Sequence, residues 1–219
     1  MSAHCCAHGP QDDSGGGEQD ARYRRVLWGA LGINAGMFLV EVIAGLAAGS
    51  VSLQADALDF LADAGNYGIS LFVVGMALRH RARAAFIKGL TMGIFGLWVI
   101  GAAIWHLVQN TLPHAITMGA VGVTALLANG AVLAMLWVYR GGDSNMRSVW
   151  LCSRNDVIGN LAVLLAALGV FGTGTGWPDV VVAAVMGALA LQSAWSVIQH
   201  ASDELRLVVR ALDLEMRDG

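Results

Sequence analysis

This sequence predicts an all-α, polytopic membrane protein with six transmembrane helices and both termini in the cytoplasm, and three observations carry that prediction. First, the 219 residues are 56% hydrophobic and only 13% charged, with a mean hydropathy of +0.61. A soluble domain of this length needs a charged surface that so few residues cannot build. Second, apolar runs of about 20 residues, long enough to cross a hydrocarbon core, recur along the chain. They lie near 26–48, 51–78, 88–109, 114–139, 148–171 and 178–199. Runs of this length predict helices, because barrel strands show short alternating segments instead. Third, the 13 Lys and Arg residues fall in four places. Arg22, Arg24 and Arg25 precede the first run, and Arg79, Arg81, Arg83 and Lys88 surround the second-to-third connection. Arg140, Arg147 and Arg154 surround the fourth-to-fifth connection, and Arg206, Arg210 and Arg217 follow the sixth run. The other three connections carry none, so the positive-inside rule puts both termini in the cytoplasm.

The elements follow in order. Residues 1–25 read as a disordered cytoplasmic tail, polar and Gly-rich in "HCCAHGPQDDSGGGEQD", with no hydrophobic period. Its His4, Cys5, Cys6 and His8 form a tight group of soft and borderline metal ligands, suited to accessory metal capture or else to nothing specific. No cleavable signal is expected, because the first apolar run is long and follows polar residues without a small-residue cleavage site. Residues 26–200 form the transport domain of six helices, and 201–219 a short cytoplasmic tail, too short for a folded domain. With Cys5 and Cys6 in the cytoplasm and Cys152 at a helix, no disulfide framework is expected. Small residues spaced by four, as in "GINAG" at 32–36 and "GLTMG" at 89–93, predict close helix packing, but among 28 glycines they single out no dimer face.

Function is carried by the few ionisable side chains inside the runs, since such groups are costly in hydrocarbon and usually face a bundle interior or a water-filled path. The second run, "LQADALDFLADAG", places Asp56, Asp59 and Asp63 on one helical face, with Asn66 continuing the stripe. The first run adds Asn34 and Glu41, seven apart, and the fifth adds Cys152, Asp156 and Asn160 at steps of four. Two carboxylates at i and i+4 cannot both ionise in a dry site without a counter-charge, so Asp59 and Asp63 either share protons or hold a cation. Cys152 and Asp156 repeat that spacing. If the two helices face each other, Asp59, Asp63, Cys152 and Asp156 make a set of three oxygens and one sulfur, compatible with tetrahedral zinc and with cadmium. Plain proton relays, helix-capping carboxylates and a cysteine that only fills space are the alternatives. Asp56, Glu41, Asn34, Asn66 and Asn160 are read as supporting or pathway residues.

These residues resemble the cation diffusion facilitator family of divalent-metal transporters. "NAGMFLVEVIAGLAAGSVSLQADALDFLADAG" is similar to that family's first two helices, with Asn34, Glu41, Gly45, Ser50, Leu53 and Asp56 at matching places. The family's second-helix motif of His or Asp, three residues, then Asp falls on Asp59 and Asp63. Its fifth-helix motif falls on Cys152 and Asp156, with Cys152 where a His is usual. "GWPDVVVAAVMGALALQSAW" resembles the sixth helix, so the likeness covers roughly 26–200. It implies proton-coupled efflux of zinc-like and cadmium-like ions from the cytoplasm across a bacterial-type inner membrane. The cysteine favours a softer ion than the family's usual zinc. The family's C-terminal cytoplasmic domain is expected to be absent, which leaves contacts between membrane helices as the route to a homodimer.

The expected partners are therefore the lipid bilayer, a divalent metal ion such as Zn2+ or Cd2+ and protons, with no prosthetic group and no nucleic acid. No nucleophile–base set or phosphate loop points to an enzyme. Two rival functions remain. One is a metal-binding membrane sensor or partner subunit without transport, and the other is a proton-coupled carrier of other cations.

Overall fold

The structure, a computed structural model, describes residues 17–72, 78–139 and 144–218. Six α-helices follow one another: α1 (Gly17–Ala48), α2 (Val51–Phe72), α3 (Leu78–Gln109), α4 (Ala115–Leu136), α5 (Ser144–Thr173) and α6 (Trp177–Asp218), with a 3-10 turn at Trp137–Tyr139 after α4. Among the described residues there is no strand. The six helices correspond to the six apolar runs, and five of them are long and apolar enough to cross a bilayer on those grounds alone. Helix α2 is the exception because its 22 residues carry Asp56, Asp59 and Asp63. At about 1.5 Å per residue it is still about 33 Å long, enough to span.

Helix ends depart from the apolar runs in an instructive way. Helix α1 already begins at Gly17, so residues 17–25, expected to be disordered, are helical. Helix α3 starts at Leu78 rather than near 88, which puts Arg79, Arg81, Arg83 and Lys88 on a helix instead of in a connection. Arg147 and Arg154 likewise lie on α5, and the supposed C-terminal tail is helical through Asp218. A hydropathy reading stops where the bilayer stops, whereas segments such as "SDELRLVVRALDLEM" are strong helix formers that continue the helix into water. His4, Cys5, Cys6 and His8 lie outside the described residues.

The three connections without basic residues are tight turns. Gly49 and Gly174 adopt φ of +62° and +63°, where the missing Cβ avoids a steric penalty, and Asn110 does so at 51°. The backbone N–H of His114, after the α3–α4 turn, donates to the carbonyl of Ala48 at the end of α1 (2.9 Å). These turns therefore share one face of the bundle. The arginine-bearing ends lie on the opposite face, the cytoplasmic one by its positive charge.

The most extensive pairings are α3 with α6, α1 with α2 and α4 with α5. Glycines permit the closest of these. A Cβ at Gly89 would sit 2.8 Å from Ile198 Cγ1, and one at Gly96 2.9 Å from Leu191 Cδ2, so "GLTMG" serves the α3–α6 contact. Gly32 and Gly36 of "GINAG" face open space. Helix α2 touches α1, α3, α5 and α6 and is the most enclosed element. Large apolar side chains such as Ile43, Leu97, Trp105, Leu127, Phe171 and Trp195 are exposed on the outside. That surface is untenable in water and ordinary against lipid.

Candidate cation site in the membrane domain

Helices α2 and α5 touch only sparingly along their backbones, and acidic side chains occupy the space between them. Asp63 of α2 and Asp156 of α5 stand at one level, because Tyr67, one turn after Asp63, bonds with Ser153, nearly one turn before Asp156.

Asp63 and Asp156, both buried, face each other across this space, with Asp59 within electrostatic reach of Asp156. Asp63 Oδ2 accepts from the Tyr67 hydroxyl (3.2 Å), which also bonds with Ser153 Oγ on α5 (3.1 Å). Asp156 Oδ2 is buried and meets no N–H or hydroxyl donor, and the Asp63 carboxyl stands close enough to share a proton with Asp156. A carboxylate oxygen without such a donor is expensive in a dry interior and suits a position meant to meet a cation. Asp59 is half-buried, and its Oδ2 lies 3.6 Å from where a Cβ of Gly159 would be. The glycine thus leaves α5 without a side chain opposite Asp59. Cys152 is on α5 one turn before Asp156, and its side chain lies outside the described residues. Among the described residues no three His, Cys, Asp or Glu side chains are already closed around one point.

A second group lies closer to the start of α2. Asn160 of α5 donates its amide N–H groups to both Asp56 oxygens (2.9 and 2.8 Å), and Asn129 of α4 donates to Asn160 Oδ1 (2.9 Å). The Asn129 bond fixes which way the Asn160 amide is turned. Three helices are thereby pinned through buried polar groups, and both Asp56 oxygens are occupied. Glu41 of α1 is fully buried, meets no N–H or hydroxyl donor, and faces the Asp56 carboxyl closely enough to share a proton with it. Asn34, also buried, donates to the Ala30 carbonyl one turn back on its own helix (2.8 Å). Asn66 accepts from the Lys88 ammonium of α3. Arg154 reaches back over the Trp150 ring, 5.7 Å from its centroid, away from the aspartates as its helical position predicts.

Sequence reasoning missed three contributors. Asn129 is the polar break in an otherwise apolar α4 face, a visible signal that went unused. Lys88 was counted only as a topological charge, although it is the one lysine in the chain. Asp179, in the first turn of α6, is buried and caps a different helix. It accepts from Ser50 Oγ (2.7 Å) and from the backbone N–H groups of Val51 (2.8 Å) and Ser52 (3.0 Å). Those N–H groups are orphan donors at the start of α2, so Asp179 sets the height of the helix that carries the aspartates.

An apolar cluster including Val51, Leu53, Leu58, Val99, Met118 and Val163 fills the bundle between these carboxylates and the turns on the far face.

Comparison with known proteins agrees with this architecture. The family model of the cation efflux transmembrane domain matches residues 27–205. The chain belongs to the cation efflux family. Zinc transporter ZitB of Escherichia coli K12 is 28% identical over 93% of this cation efflux chain and 66% of its own length. The cadmium, cobalt and zinc/H(+)-K(+) antiporter of Bacillus subtilis is 25% identical over 74% of the chain and 57% of its own length. The metal cation efflux system protein CzcD of Cupriavidus metallidurans is 23% identical over 89% and 63%. This cation efflux chain therefore spans somewhat less than two thirds of the length of these relatives.

Proposed function

We propose that this chain moves divalent transition-metal ions, zinc or cadmium, out of the cytoplasm in exchange for protons. Asp59, Asp63, Cys152 and Asp156 hold the ion between α2 and α5. The observation that carries this reading is the Asp63–Asp156 carboxyl pair, buried face to face between α2 and α5, with Asp156 Oδ2 meeting no N–H or hydroxyl donor. Membership of the cation efflux family and the metals named for its relatives support the substrate class. Carboxylates and a thiol bind metal only when deprotonated, so proton and metal compete for the same atoms. If the site opens alternately to each side, that competition couples an inward proton gradient to outward metal movement. The buried apolar cluster toward the far face fits access from the cytoplasmic side.

Asp56, tied off by Asn160, holds α5 at a fixed height against α2, and Glu41 and Asn66 line the same interior. His4, Cys5, Cys6 and His8 would collect metal at the cytoplasmic mouth, and contacts between membrane helices would carry a homodimer.

The test is reconstitution of this chain alone in proteoliposomes with an imposed pH gradient. Zinc or cadmium should accumulate on the acidic side, with protons moving the opposite way. Metal that binds without crossing would mean a sensor or partner subunit. Uptake of monovalent or organic cations alone would mean a different carrier.

A further inference from the structure

Lys88 stands in an unusual place for the only lysine of the chain. It is ten residues into α3, half-buried, and turned toward α2 rather than to the cytoplasmic surface. Its ammonium donates to Asn66 Oδ1. Its stem lies along Gly65, where a Cβ would come within 3.3 Å of Lys88 Cδ. Its charge acts on the Asp63 carboxylate. A lysine used only for topology would extend to the headgroups, as the flexible stem allows. Gly65 leaves room for it to do the reverse.

Charge balance gives this placement a role. The carboxylates of Asp59, Asp63 and Asp156 carry three negative charges when ionised, and a thiolate at Cys152 would make four. One divalent ion supplies two positive charges. The surplus negative charge in a poorly solvated interior would hold the ion too tightly to release it. Among the described residues, Lys88 is the basic side chain whose charge reaches Asp63, held there by its bond to Asn66, while Arg154 lies over Trp150. We propose that Lys88 is a tethered counter-charge of the metal site, a positioning residue that weakens metal binding and thereby speeds metal release. The inference rests on the assignment of the metal site to α2 and α5.

Transport kinetics separate this role from a structural one. Lys88→Met keeps the apolar stem along Gly65 and removes the charge. Measured as initial zinc uptake into proteoliposomes at a fixed, mildly alkaline pH, it should lower the KM by about tenfold, a modest fraction of the full Coulomb interaction between the two cations. The maximal rate should fall as well, because release becomes slower. Lys88→Arg, which restores the charge, should bring both values back toward wild type. Loss of packing alone would reduce the maximal rate and leave the KM unchanged or raised. An unchanged or raised KM in Lys88→Met, with wild-type protein transporting zinc normally, overturns the counter-charge role. Absence of zinc uptake by wild type overturns the metal-site reading instead, so the two failures are distinguishable.

Discussion

Asp63→Ala and Asp156→Ala are each expected to abolish metal uptake in proteoliposomes while leaving the helical, membrane-inserted protein intact. Each removes one carboxylate from the facing pair of α2 and α5, leaving its partner and Asp59 to hold the ion. Removing one partner of a buried charge pair costs about 3–5 kcal/mol. At about 1.4 kcal/mol per tenfold, metal affinity should fall by more than about 100-fold. Folding should suffer less, since without metal the deleted group was a burden to bury. Zinc uptake and circular dichroism of the same preparation check both halves. Near-normal uptake by either variant would remove that residue from the site.

The second large effect is on stability. Asp179→Ala should destabilise the protein by about 3–5 kcal/mol, because three donors converge on its carboxylate and hydrogen bonds to a charged group contribute about 1.5–3 kcal/mol each, non-additively. It would leave the Val51 and Ser52 N–H groups orphaned at a buried helix start. Asp179→Asn keeps one acceptor oxygen and should fall between wild type and alanine. Thermal unfolding in detergent gives the ranking. Alanine as stable as wild type would mean that water or a neighbour replaces the cap.

The same residue shows where sequence reasoning ends. The six membrane helices are legible because apolar length is a local property, and so is the common face of Asp56, Asp59 and Asp63, fixed by helical spacing alone. That Asp179 caps α2 is not legible, since Ser50 and Asp179 are 129 residues apart and only the folded bundle joins them. Asn129 and Asn160 meet across α4 and α5 for the same reason. Lys88 was hidden differently. A positive charge at the edge of an apolar run satisfies the positive-inside rule, and nothing local tells whether its stem turns outward to the headgroups or inward along Gly65. Asp59, Asp63 and Asp156 could be proposed together from their spacing. Their matching level shows only in the folded bundle, where Tyr67 of α2 and Ser153 of α5 bond each other.

Zinc-edge X-ray absorption of the metal-loaded protein most directly tests whether α2 and α5 hold the ion through carboxylates and Cys152. The ligand shell should contain one sulfur at about 2.3 Å and oxygens at about 2.0–2.2 Å, with the sulfur lost in Cys152→Ser and the bound zinc lost in Asp63→Ala. A shell without sulfur in the wild type, or one unchanged by both substitutions, would place the metal elsewhere and contradict the site.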